Sequence, residues 1–260
     1  MRGENAPTMQ PRRLAMPATA ALLACSFIAF AQYDKKPYIE WSEKEATKIM
    51  NDSPWSQTHT LTDTSKAFNT SRGKRTATST ASAVVAVNFR VRFLSSHPVR
   101  QAITRLALLH DNKIPEQMLG RLKALAEAPF PDYVVVAVTT DSDRGSDMLT
   151  QANEALRTAT TAVLANKTYL IANTGQRIYL KEYQPPRNDG FGARFIFPRI
   201  IDGKEMLTAG NGEVVFHTEV GGGSDLNSGV TTSDTAVGYG FTLHTRYKVK
   251  EMMFNGKLEY

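Results

Sequence analysis

Cysteine is almost missing from this sequence: its 260 residues contain one, Cys25. That residue falls in an N-terminal segment with the marks of a cleaved leader, so the mature chain is expected to carry none. A cysteine-free chain has no disulfide, no thiolate metal site and no cysteine nucleophile. Glycine (17) and proline (12) are too sparse for a low-complexity or collagen-like chain. Past residue 31 no apolar run approaches the length of a membrane-spanning helix. Charge of one sign is scarce too. Lys and Arg number 31 against 25 Asp and Glu, a net of +6, and loss of Arg2, Arg12, Arg13 and Glu4 with the leader leaves about +4 of it. That excess is too diffuse to form the basic face a nucleic acid requires, and no nucleic-acid partner is expected. The five histidines, His59, His97, His110, His217 and His244, show no zinc-type spacing. No Gly-x-Ser-x-Gly elbow is present, and Gly221-Gly222-Gly223-Ser224 lacks the Lys-Ser/Thr of a phosphate loop.

What is present begins with an address. Arg12 and Arg13 precede an apolar run from Leu14 to Ala31 that ends Ala29-Phe30-Ala31 before Gln32. A basic region, an apolar region and a small-x-small site are the parts of a secretory signal peptide, cleaved between Ala31 and Gln32. Two other routes stay open. Leu22-Leu23-Ala24-Cys25 is similar to a lipoprotein cleavage box, which would anchor the chain through a lipid on Cys25. The apolar run is also just long enough to remain as an uncleaved anchor. Arg12-Arg13 fits a twin-arginine signal poorly, given Pro11 before it and Leu14-Ala15 after.

The remaining chain divides into an N-terminal helical segment (32–61), a Ser/Thr-rich linker (62–82) and a domain over 83–260 with a mobile Gly/Ser/Thr-rich loop at 221–240. Ser42 and Glu45 form a capping box, with Trp41 and Ala46 placed as a hydrophobic staple. The helix they open ends at Asn51-Asp52-Ser53-Pro54, so Trp41 and Trp55 flank it. The favoured reading is that the two indoles clamp this helix to the body; the alternative is a ligand platform. Val85, Val87, Phe89, Val91 and Phe93 alternate with residues that turn basic at Arg90 and Arg92, which predicts a strand with one apolar face. Ser96 and Pro98 open one helix and Pro115 a second. Tyr133–Thr140, with its Val134-Val135-Val136-Ala137-Val138 run, predicts a central strand covered on both sides. It is expected to lie parallel to 85–93, through a right-handed crossover. A helix follows from Met148 to Ala165. Beyond Asn166 the signals are β: 169–172 and 176–183 around Asn173-Thr174-Gly175, 193–201, 213–220, 241–250 and 252–260. Asp202-Gly203 and Asn255-Gly256 supply turn chemistry. The expected class is α+β, a mixed sheet with a β-α-α-β-α first half and a mostly antiparallel second half.

Two loops carry candidate chemistry. In Asp141-Ser142-Asp143-Arg144-Gly145-Ser146-Asp147, alternating carboxylates offer a Ca²⁺ site through Asp141, Asp143 and Asp147. Gly145 and Ala152 stand where that kind of loop needs oxygen ligands, which favours a plainer role: Ser146 caps the next helix and the aspartates complement its dipole. The loop 184–192 pairs Arg187 with Asp189 as either a ligand contact or a structural ion pair. His97 beside Ser95 and Ser96 suggests a hydrolase, but adjacency makes no triad.

Pro37-Tyr38-Ile39-Glu40-Trp41-Ser42-Glu43-Lys44-Glu45, Asn51-Asp52-Ser53-Pro54-Trp55, Pro98-Val99-Arg100-Gln101-Ala102 and Asp189-Gly190-Phe191-Gly192-Ala193-Arg194-Phe195-Ile196-Phe197-Pro198-Arg199 resemble pieces of a group of uncharacterised secreted bacterial proteins. Thr174-Gly175-Gln176-Arg177-Ile178-Tyr179-Leu180 is distantly similar to part of the GWxTD domain, whose naming motif is absent here. Neither resemblance implies catalytic residues. The expected function is a non-enzymatic periplasmic or surface module that binds an envelope protein or surface component. The alternative is an exported, metal-assisted hydrolase using the 141–147 loop.

Overall fold

The Glu45 amide donates to the Ser42 hydroxyl at 3.3 Å and the Ser42 amide donates back to the Glu45 carboxylate at 2.6 Å. This reciprocal cap opens α1 (Glu43–Asn51) and settles two of the amides a helix start leaves unpaired. The computed structural model describes residues 36–63, 85–111, 113–172, 175–221, 224–225 and 239–260. The leader with its Ala29, Ala31 and Gln32, Cys25, and most of the linker and of the Gly-rich loop lie outside the described residues. Lys36 and Pro37 belong to a separate N-terminal unit, and Tyr38–Tyr260 form the unit considered below.

The chain is α+β. After α1 come β1 (Ser56–Asp63), β2 (Val85–Phe93), α2 (His97–His110), α3 (Glu116–Glu127), β3 (Tyr133–Asp141), α4 (Asp147–Thr158) and α5 (Thr161–Leu164). The remainder is β: β4 (Thr168–Ala172), β5 (Arg177–Tyr179), β6 (Glu182–Gln184), β7 (Ala193–Pro198), β8 (Ile200–Ile201), β9 (Lys204–Glu205), β10 (Glu213–Val220), β11 (Ser224–Asp225), β12 (Tyr239–Lys248), β13 (Met253–Phe254) and β14 (Lys257–Leu258). Among the described residues the strands form two five-stranded sheets, ordered β1-β2-β3-β7-β6 and β11-β12-β10-β4-β5, and two small hairpins. Their pairing is antiparallel except for the two-residue β11–β12 contact.

Alternation decides which face of each strand is buried. Val87, Phe89, Val91 and Phe93 of β2 are all fully buried, as are Phe195 and Phe197 of β7. They meet the second sheet ring against ring: Phe89 lies 4.7 Å from Phe241, Phe93 4.8 Å from Tyr247 and Phe195 5.3 Å from Phe216. The Tyr247 hydroxyl donates to the Val91 carbonyl at 2.9 Å, so the largest polar group in this core is satisfied across the sheets. Burial of Tyr247 raises its pKa well above the ordinary phenol value, with Arg92 acting in the opposite direction.

Four expectations need correction. β2 and β3 pair antiparallel, Val91 opposite Val138, where a parallel pair was expected. Two helices separate them, so the chain reverses three times between the strands, whereas a one-helix crossover reverses twice and returns parallel. The helix expected over 148–165 breaks after Thr158, because Thr160 stops it and caps a new turn by accepting from the Val163 amide. Val163, inside the span of the expected helix, is 56% exposed. The strand expected over 176–183 is two strands in different sheets: β5 pairs with β4 and β6 with β7, the chain switching at Leu180-Lys181. β1 was not foreseen at all, although it pairs with β2 along its whole length.

Buried arginines join helices to the first sheet. Arg100, 1% exposed, donates from Nε to Leu125 O at 3.0 Å, from Nη2 to Ala128 O at 2.6 Å, and from Nη1 to Ser95 O. It thereby closes the open carbonyl end of α3. Arg92 does the same for α1, from Nε to Met50 O at 2.6 Å and from Nη2 to the Asn51 side chain at 3.3 Å. Burial lowers both guanidinium pKa values to about 10; for Arg92 the neighbouring charge of Arg90 adds to the effect.

Candidate functional site

In β2, β3 and β7 the residues between the core positions face away from the second sheet. Register puts Arg92, Ala137 and Arg194 in one row, with Arg90 and Thr139 in the next and Asn88 and Asp141 in a third. Arg90 and Arg194 thus flank β3 from opposite sides, one row apart, with Cα atoms on the order of 12 Å apart across two strand spacings and two residues of strand rise. The loop between β6 and β7 brings Asp189 to the same face, where its carboxylate takes a 3.0 Å contact from Arg194 Nη1. Two candidate loops distant in sequence, 141–147 and 184–192, therefore each deliver one aspartate to one polar face, and each aspartate meets an arginine.

The network is directional. The Thr60 hydroxyl donates to Asn88 Oδ1 at 2.8 Å, and Asn88 Nδ2 donates to Asp141 Oδ1 at 2.9 Å. Asp141 Oδ2 takes the Arg90 guanidinium. Asp189 Oδ1 accepts the Phe191 amide at 3.1 Å, which fixes the loop around it. Arg92 is fully committed to this framework, since its Nη1 donates to Thr139 at 2.8 Å and its other nitrogens hold α1. Arg90 and Arg194 are not. Arg90 Nε and both Nε and Nη2 of Arg194 are buried with no hydrogen-bond partner among the described residues.

Of the carboxylates proposed for Ca²⁺, Asp141 is taken by Arg90 and Asn88, while Asp143 and Asp147 are exposed. Ser146 caps α4 by accepting from the Leu149 amide at 3.0 Å, with Asp147 in the first turn. Among the described residues no group of three or more His, Asp or Glu side chains is placed to hold a metal ion. Arg187 is exposed and does not pair with Asp189, whose partner is Arg194. Trp41 and Trp55 are 0% and 2% exposed, so neither indole presents a face to a ligand; Trp55 Nε1 donates to Glu259 O at 2.8 Å.

His97 sits in a cleft of about 170 Å³ with Glu127, Lys257 and Glu259. Its amide and Nδ1 meet the two Glu259 oxygens at 3.1 and 3.2 Å. The Glu259 carboxylate thus caps α2 from 162 residues away, where Ser96 makes no side-chain cap. Ser95 accepts the Val135 amide and Ser96 donates to Phe93 O, so neither hydroxyl is aimed at His97. A larger cleft of about 410 Å³ is lined by Gln176, Asp202, Lys204, Glu205 and Asn211 among others. Among the described residues no helix is long and apolar enough to cross a membrane.

Sequence reasoning marked Arg90 as part of a basic strand face and Asp141 and Asp189 as candidates, but it passed over Arg194 and Asn88. The alternation of 193–198 was a signal that Arg194 faces away from Phe195. Its meeting with β3 depends on register, which one strand does not contain. No family model matches the chain, and no curated protein or solved structure matches it.

Proposed function

We propose that this chain is an exported, non-enzymatic binding module whose recognition surface is the polar outer face of the first sheet. The observation that carries the reading is the pair of partly satisfied arginines, Arg90 and Arg194, standing on a rigid sheet. Polar groups fixed by strands and left with unused donors suit recognition, since little ordering is needed on contact. Support for export comes from the basic, apolar and small-x-small succession ending at Ala31. The partner this implies is an envelope protein or surface component. The groups a hydrolase needs do not converge among the described residues, the serines beside His97 being spent on backbone and Asp141 on Arg90.

The test is cell fractionation of a C-terminally tagged chain with in-cell crosslinking on the same sample. A mature form beginning at Gln32 in the exported fraction, with a stoichiometric partner crosslinked through residues of this face, is the expected result. Full-length protein in the cytoplasm would overturn the export reading. An exported chain with no partner would overturn the interaction reading.

A further inference from the structure

An arginine side chain offers two parallel donors on one flank, from Nε and the nearer terminal nitrogen, and this fork matches the two oxygens of a carboxylate or phosphate. In Arg194 that fork is intact and unused. Nη1 alone engages Asp189, while Nε and Nη2 are both buried without an acceptor among the described residues. Buried donors of a charged group are costly to leave unpaired, so such atoms point to an acceptor.

Asp189 is poorly placed to become that acceptor. Its second oxygen is held by the Phe191 amide at 3.1 Å. The loop end is pinned as well, for Gly192 packs so closely on β3 that an added Cβ would fall 2.3 Å from Val138 O. Moving Asp189 onto the fork means breaking its own turn. On the other side of β3, Arg90 repeats the pattern, one terminal nitrogen on Asp141 and a buried, unpartnered Nε. In the Arg194 row the neighbouring residue of β3 is Ala137, whose side chain carries no acceptor for the fork, and Arg90 stands opposite Thr139 one row further on.

We propose that Arg194 is the receptor for an oxyanion carried by the ligand, a carboxylate or a phosphate group, which takes its Nε–Nη2 fork while Arg90 contributes a further donor. The proposal rests on this face being the recognition surface and adds the chemistry of what it recognises. Because the fork is shielded in the present arrangement, the anion enters with a shift of the Arg194 side chain, and the Asp189 carboxylate on Nη1 of the same guanidinium opposes the incoming negative charge. Loss of the Asp189 charge therefore tightens binding, an effect a merely structural ion pair would not produce.

The experiment is a titration of the purified protein with inorganic phosphate, and separately with acetate, against chloride at matched ionic strength. The Nε–Hε resonance of Arg194 is followed by NMR in the wild type and in Asp189→Asn, and the backbone amides of Phe191 and Ala193, beside the Asp189–Arg194 contact, in every variant. A saturable shift is expected, weakened about tenfold or more in Arg194→Gln through loss of a charge-assisted contact. Asp189→Asn is expected to bind severalfold tighter. Tighter binding of phosphate than of acetate assigns a phosphate-bearing ligand, and the reverse order a carboxylate. Arg194→Lys, which keeps the charge without the fork, covers the case in which the glutamine variant fails to fold; it too is expected to bind about tenfold more weakly. A response no different from chloride, or unchanged affinity in folded Arg194→Gln, overturns the proposal. A crosslinked partner captured equally well by Arg194→Gln overturns it while leaving the binding-module reading standing. Saturable anion binding with no partner in cells upholds the oxyanion site and removes only the interaction reading.

Discussion

Gly190 and Gly192 form a matched pair that tests how the polar face is held. Both adopt left-handed backbone, φ +77° and +78°, in the loop that carries Asp189. A Cβ at Gly190 would meet nothing within 4 Å, whereas one at Gly192 would lie 2.3 Å from Val138 O and 2.6 Å from the Thr139 methyl. Gly190→Ala therefore carries only the cost of a left-handed conformation in a residue with a side chain, about 1–2 kcal/mol. Gly192→Ala carries that cost and a collision with the backbone of a central strand, which cannot rotate away as a side-chain tip can. Overpacking of this kind adds about 1–3 kcal/mol, for a total of about 2–5 kcal/mol. The readout is urea unfolding followed by tryptophan fluorescence, since Trp41 and Trp55 are both buried and become exposed together. Equal destabilisation by the two substitutions would refute the close approach of loop and β3 on which the placement of Asp189 depends.

Two further outcomes follow from buried polar groups. Arg100→Leu removes the donors that close α3 and leaves the Leu125, Ala128 and Ser95 carbonyls unpaired; a loss of about 3–5 kcal/mol is expected in the same urea assay, and a loss below about 1 kcal/mol contradicts the capping role. His59 and His244 both have pKa values lowered from 6.5, chiefly by burial, with His244 acting on His59, and His217 and Arg246 acting on His244. Below pH 6.5 the unfolded chain takes up these protons before the folded one does, so their contribution is complete above that pH and lost as pH falls through the lowered values. Thermal midpoints measured across that window should fall more steeply for the wild type than for His59→Gln with His244→Gln, and parallel curves contradict the assignment.

Local signals in this sequence are faithful where the physics is local. The Ser42–Glu45 cap, the alternation of β2 and the turns at Asp202-Gly203 and Asn255-Gly256 all form as expected, the turns with positive φ at both central residues. β1 escaped notice because Ser56–Asp63 offers Leu61 as its only aliphatic residue. It forms because the edge of β2 supplies eight residues of pairing, a cause that lies outside its own sequence. The break at Thr160 is another such case: the hydroxyl competes with the helix for the Val163 amide, and helical periodicity does not record that competition.

The site shows the same division more sharply. Arg90 and Arg92 are two residues apart on one strand face and indistinguishable by pattern, yet Arg92 is spent on the end of α1 while Arg90 keeps an unpaired Nε. What separates them is which helix terminus happens to dock nearby, and that is a tertiary fact. Arg194 reaches the same face from a strand more than 100 residues away, opposite Ala137, with an aspartate from its own loop on one nitrogen only. The number of donors left over, rather than the number of arginines, determines what such a face can bind. Only the register of β2, β3 and β7 together reveals that number.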